Sequence, residues 1–143
     1  MIPNQGDIKH MKTFDMFHDG FLDGLLVHGS ILHVFLSTSD KQEFVLQVSG
    51  VLSLKVDGFR QGNIIYDVLV RAGDEVTFDD IMNFYEFKDE TKALLKLEDA
   101  RKKNVVVLEI NPSYGATCIL LAKSVDLLHR QEWANRVFAT VAQ

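Results

Sequence analysis

From Phe44 to Val56 every even position is apolar or glycine (Phe44, Leu46, Val48, Gly50, Leu52, Leu54, Val56), while Gln47, Ser49, Ser53 and Lys55 lie between them. That is the period of a strand with one buried face. A straight strand over this stretch would run about 45 Å at about 3.3 Å per residue, longer than the roughly 30 Å width of a small domain. It must therefore bend, and Ser49-Gly50 is the expected corner because glycine accepts bulge and corner conformations. The bent strand should then serve two sheets or both ends of a barrel. Asp57-Gly58 ends it, and alternation resumes from Asn63 to Arg71 with Ile64, Tyr66, Val68 and Val70 on one face.

Upstream, two hairpins are predicted. His18-Asp19-Gly20 separates strand-like stretches over 12–17 and 21–27, and Asp-Gly suits a turn whose central residues take positive φ. With that turn, Phe14 lies opposite Leu25 and Met16 opposite Asp23. Gly29-Ser30 supplies the second turn, with glycine first as a type II′ turn requires. Val27 then faces Leu32, Leu25 faces Val34 and Asp23 faces Leu36, while His28/Ile31, Leu26/His33 and Gly24/Phe35 share the other side. Both faces of this hairpin are largely apolar, so both need a cover.

Past Arg71 the period changes. Thr77-Phe78-Asp79-Asp80 predicts a capped helix running to about Tyr85, with acidic residues at the positive end of its dipole. Residues 89–103 are rich in helix formers and carry Leu94, Leu97 and Arg101 on one stripe. Strand character returns over 104–110 and 116–122. Asn111-Pro112-Ser113-Tyr114-Gly115 is expected to be the loop between them, with proline barring a continued strand. Trp133, Val137 and Val141 are spaced for a final helix. The expected fold is α+β, mainly an antiparallel β sandwich or partly open barrel of about seven strands, with a helical insertion and a C-terminal helix. Residues 1–9 are read as a flexible N-terminus, and 10–143 as a single domain.

Composition narrows the function. The 143 residues hold 15 Lys plus Arg against 20 Asp plus Glu, a net charge of -5. That balance opposes general binding to nucleic acid or anionic membrane and suits a protein partner of basic character. Acidic residues concentrate at Asp74, Glu75, Asp79, Asp80, Glu86, Asp89 and Glu90, where they could steer such a partner. Cys118 is the only cysteine, which rules out an intramolecular disulfide and fits a reducing, cytoplasmic setting. Apolar runs are too short to span a bilayer. The apolar hairpin faces suggest self-association as a homodimer, the commonest symmetric assembly, through an apolar sheet face or the C-terminal helix.

Candidate chemistry is sparse. His28 and His33 are diagonal neighbours on the hairpin, yet no spacing supplies the further ligands that zinc needs, so no metal and no cofactor are expected. His18-Asp19 reads as a turn, and Cys118, inside Ala-Thr-Cys-Ile-Leu, reads as a small buried apolar residue. No catalytic residue is assigned. Asn63 and Asp67 on one strand and Glu109 and Asn111 on another, with Tyr114, are candidate ligand-binding residues for a polar pocket.

Three stretches carry a resemblance: Phe17-His18-Asp19-Gly20, Gly62-Asn63-Ile64-Ile65-Tyr66-Asp67-Val68, and Leu108-Glu109-Ile110-Asn111-Pro112-Ser113-Tyr114-Gly115-Ala116. Together they resemble a group of small bacterial proteins of uncharacterised activity. More distantly, the strand-rich layout is similar to immunity-type proteins of bacterial toxin systems. The resemblance implies a bacterial source and a β-rich domain, while the absence of a catalytic set and the acidic charge point to a non-enzymatic binding or interaction module, toxin neutralising in the immunity-type reading. The alternative is a small-molecule-binding domain or enzyme with its pocket near Asn63, Asp67, Glu109 and Tyr114.

Overall fold

The computed structural model describes residues 12–85 and 87–141; the stretch 1–9 lies outside the described residues. Nine strands run β1 (Lys12–Thr13), β2 (Phe21–His28), β3 (Ile31–Ser37), β4 (Glu43–Ser49), β5 (Ser53–Asp57), β6 (Asn63–Ala72), β7 (Val106–Tyr114), β8 (Thr117–Ala122) and β9 (Ser124–His129). Helices α1 (Phe78–Tyr85) and α2 (Glu90–Lys102) lie between β6 and β7, and α3 (Arg130–Val141) follows β9. Eight strands form one path, β5-β8-β7-β6-β2-β3-β4-β9, to which β1 adds through β6. Every pairing is antiparallel. The fold is thus α+β with a helix pair inserted and a helix at the C-terminus.

The corner falls at Gly50, which has φ of 63°. There β4 leaves its partner β9 and continues as β5 beside β8, so one bent strand contributes to both ends of the sheet path. Its neighbour bends in step. The register passes from Ser49↔Ser124 to Ser53↔Leu121, so that Gly50, Val51 and Leu52 face only Ala122 and Lys123. This extra residue is a bulge, and the Lys123 amide donates to both Ser49 and Gly50 carbonyls across it. A Cβ at position 50 would meet the Lys123 side chain, which would have to move aside, and the positive φ is what makes glycine the fitting residue at the corner. The bulge also changes the parity that the sequence suggested. Val51 packs against the core and Leu52 faces out, before Leu54 and Val56 turn inward again. No ladder joins β5 to β9, and the sheet is not closed.

Two apolar clusters fill the molecule. The first lies inside the curved sheet and includes Phe17, Leu36, Phe44, Leu46, Val68, Leu108, Ile110 and Leu120. The second packs α1 and α2 on the outer face of β7 and β8 through Val76, Ile81, Phe84, Leu97, Val107 and Leu121. Residues 105–108 are continuously apolar because β7 has a covered surface on both sides.

The Gly29-Ser30 hairpin has the expected register from Gly24↔Phe35 to His28↔Ile31. Only Gly29 has positive φ there, as a type II′ turn requires. Asp23 differs: a bulge between Leu22 and Gly24 sets Leu22, not Asp23, opposite Leu36. The other expected hairpin does not form. Asp19 does take positive φ, but residues 15–17 make a 3-10 turn and Lys12-Thr13 pairs with β6. Burial decides this, because the turn drives Phe14 and Phe17 into the core, with the Phe17 ring edge-on to Phe44 at 5.5 Å. Gly20 is required for close approach, since a Cβ would come within 2.2 Å of the Ser37 carbonyl oxygen.

Two further expectations are corrected downstream. Residues 111–114 continue β7 instead of looping: Pro112 sits opposite Ile65 where the β6–β7 register is irregular. There β7 has run past the end of its β8 ladder at Ile110↔Cys118, so the missing proline N–H breaks no bond on that side. Strand β9 went unread because its alternation is short and runs directly into α3. On α2 the buried stripe is Ala93, Leu97 and Ala100, and Leu94 is exposed.

Helix α3 covers the part of the hairpin's outer face around His33 and Phe35, while Leu26 and His28 on that face stay exposed. Trp133 sets its ring edge against His33 and Phe35, at 5.5 and 5.1 Å, and its Nε1–H donates to His33 Nδ1 at 2.9 Å. That bond needs an unprotonated Nδ1. Burial, then the charge of His28, lowers the His33 pKa from its ordinary 6.5. The unfolded chain therefore takes up a proton that the folded chain resists. This contribution to stability is present above about pH 6.5 and is lost as pH falls through the lowered folded value. Trp133 is the only tryptophan, so its fluorescence reports this docking. Emission is expected to shift to the red as pH is lowered from about 7 to about 5, with His33→Phe flattening the profile; an unchanged wild-type spectrum would contradict the assignment.

Candidate functional site

The five nominated polar residues do not meet in one pocket. Asn63 points inward and is 2 % exposed. Its Oδ1 accepts from the amides of Arg60 (2.8 Å) and Ala116 (3.0 Å), and its Nδ2 donates to the carbonyls of Arg60 (2.6 Å) and Leu22 (3.3 Å). All its hydrogen-bonding capacity is spent on backbone. Gly115, at φ of 91°, leaves room for it: a Cβ there would lie 2.4 Å from Asn63 Oδ1. Asn63 thus ties the start of β2, the 58–62 loop and the entry to β8.

Asp67 and Asn111 are brought together, as cross-strand partners whose side chains bond at 2.8 Å. Glu109 is drawn elsewhere, 3.1 Å from Arg71. Arg71 in turn makes a two-pronged contact with Asp80, at 2.5 and 2.7 Å. Asp80 also accepts from the Thr77 amide, and its own amide donates to Thr77 Oγ1, a reciprocal cap at the start of α1. Burial pushes the Asp80 pKa up, but the bonds from Arg71 and Thr77 outweigh it and leave the carboxyl below its ordinary 3.8. The Asp80 bond raises the Arg71 pKa. Asp80 is therefore a fixed internal anion and not part of an acidic surface; Glu86 lies outside the described residues, and Asp74, Asp79, Asp89 and Glu90 are exposed.

What the irregular end of β6 does present is a rim with two halves. On one, His18 and Tyr66 pair: His18 Nδ1 lies 2.8 Å from the Tyr66 carbonyl oxygen, and the two rings meet edge-on at 5.5 Å. Tyr66 is 56 % exposed because the register slips between Ile65 and Asp67. A concavity of about 240 Å³ here is lined by Thr13, Phe14, Asp15, His18, Tyr66 and Asp67. On the other half, Phe21, Ile64 and Tyr114 stand in one cross-strand row. Beside it a groove of about 670 Å³ has Phe21, Asp23, Lys41, Phe59, Arg60 and Gln61 in its lining. The sequence reading missed Phe59, Arg60 and Lys41, although an aromatic and a cation between Gly58 and Gly62 offered a signal.

The remaining candidates are inward or engaged. Cys118 is buried, and burial pushes its thiol up to about 12, far from a nucleophile's range. Among the described residues no three His, Cys, Asp or Glu side chains gather as a metal-ligand set. No helix among them is long and apolar enough to cross a membrane. A scan against family models, a search of curated proteins and a search of solved structures each return no match.

The ion cluster yields a direct test. Asp80→Ala would strand Arg71 and the Thr77 amide, and losing one partner of such a pair costs about 3–5 kcal/mol. Equilibrium urea unfolding is expected to show a loss toward the lower end, since Glu109 still faces Arg71; a change indistinguishable from that of Asp79→Ala would return Asp80 to the solvated surface.

Proposed function

We propose that this chain is a non-enzymatic binding module that engages a basic protein partner on its Tyr66 face. The observation that carries the reading is Tyr66 itself, a large ring held exposed by a register slip and braced by His18. Exposed tyrosines with a polar surround are typical anchors of protein interfaces, since they combine apolar area with a hydrogen-bonding tip. Around it stand Asp15 and Asp67, with Asp19 next to His18. The acidic surround would speed encounter with a basic partner and weaken in salt. A toxin-neutralising role of the immunity type accords with the resemblance noted above.

The chemistry-bearing side chains favour binding over catalysis by their engagements. Asn63 holds backbone, Glu109 joins the Arg71 cluster, and Cys118 is an inert buried thiol. A reducing bacterial cytoplasm suits a lone thiol of that kind. The reading includes a homodimer through the apolar hairpin or the C-terminal helix, where Leu26, Val27 and Phe138 are exposed.

Affinity capture from the source organism, followed by binding kinetics, tests the proposal. Tyr66→Ala is expected to weaken the captured complex by about tenfold or more, higher salt to slow association, and Leu95→Ser on distant α2 to change neither. Capture indifferent to Tyr66 and to salt would overturn the reading. Light scattering at micromolar concentration is expected to give a dimer, and a monomer would remove that part of it.

A further inference from the structure

The groove on the other half of the rim has no role in that reading. Its two cations come from two separate turns, each held firmly. Lys41 sits in the β3–β4 turn with φ of 70°, a strained value for a residue with a side chain. The turn enforces it: the Thr38 amide donates to the Gln42 carbonyl and the Lys41 amide to the Thr38 carbonyl, both at 2.9 Å. The Gln42 amide donates to Thr38 Oγ1, whose hydroxyl bonds Asp40. This geometry lays the Lys41 ammonium 3.7 Å from the centre of the Phe21 ring. Arg60 sits in the 58–62 loop, where Asn63 fixes both its amide and its carbonyl. Among the described residues its guanidinium has no protein partner.

Phe21 and Phe59 line the same groove, and Phe59 is 49 % exposed. Because Asn63 fixes the backbone of this loop at Arg60, little backbone ordering is lost when something stacks on Phe59. The groove is open to solvent, and at about 670 Å³ it has room for a small ligand. The lining carries Lys41 and Arg60 against Asp23 alone, a local positive excess in a chain of net charge -5. Arg60 offers a planar fork suited to phosphate or carboxylate, and Asp23 and Gln61 can accept from or donate to polar edges of a ring.

We infer that this groove binds a small planar aromatic anion, its ring stacked on Phe59 and its phosphate or carboxylate met by Arg60 and Lys41. Such chemistry comes from a mononucleotide or from an aromatic carboxylic acid, and the test separates them.

Calorimetric titration would use adenosine monophosphate, 1-naphthoate, adenosine (ring without charge) and inorganic phosphate (charge without ring). At least one of the first two is expected to bind in the sub-millimolar range, about tenfold or more tighter than adenosine or phosphate. Which of the two binds identifies the source. Phe59→Ala and Arg60→Gln, both at exposed positions, should each weaken binding by about tenfold, while Lys103→Gln at the C-terminal end of α2, outside the groove lining, should not. Circular dichroism of each variant guards against misfolding. No binding by either ring anion at millimolar concentration, binding equalled by phosphate alone, or binding indifferent to Phe59 and Arg60 would overturn the inference. Tyr66-dependent protein capture could survive that failure, and groove binding could survive loss of the Tyr66 effect, so the two proposals fail separately.

Discussion

A buried amide governs the end of the sheet where the recognition surfaces lie. Asn63 joins three places distant in the chain, Leu22, Arg60 and Ala116, through bonds to backbone only. An unpaired polar group in such a position would cost about 1–3 kcal/mol, so four satisfied bonds make this local arrangement strongly preferred over its neighbours. The consequence reaches outward. Because Leu22 and Asn63 turn inward, their neighbours Phe21 and Ile64 turn outward in register with Tyr114, and the loop before Asn63 is held with Phe59 and Arg60 over the same groove. Interior hydrogen bonding therefore sets exterior chemistry.

At the opposite extreme of scale, the corner at Gly50 and Lys123 shapes the whole sheet. Two adjacent strands bend together there, so the residues before the corner line one end of the sheet path and those after it the other. The curvature lets a single apolar interior collect side chains from both ends, Phe44 and Leu46 together with Leu54 and Val56. The helix pair then closes the outer face of β7 and β8, locked at the start of α1 by the Arg71–Asp80 contact. Trp133 of α3 packs on the hairpin at His33 and Phe35.

Much of this was legible in the sequence where one local rule dominates. The Gly29-Ser30 turn fixed its own register because a type II′ turn leaves little freedom, and the long alternating run demanded a bend because a straight strand does not fit. The failures share a cause. At Asp15–Phe17 and Pro112 local signals were outweighed by tertiary packing: two phenylalanines gained burial in the core, and an edge position tolerated proline. For the site, polarity was readable but direction was not. Asn63 looked like a ligand group because the parity of β6 could not foresee the register slips at Ile64 and Ile65, while Phe59 and Arg60 looked like ordinary loop residues. Asp80 looked like surface charge because its partner Arg71 lies on another element.

The claim that joins fold to function is that Asn63 holds the rim in one conformation before anything binds. Hydrogen exchange of the free protein, resolved by residue, addresses it directly. If the clamp is closed, the amides of Arg60 and Ala116 exchange as slowly as ladder amides such as that of Ile110, because both are held by Asn63 Oδ1. If they exchange as fast as an unprotected loop amide, the rim is not preorganised and the link proposed between the buried amide and the exposed recognition surface is wrong.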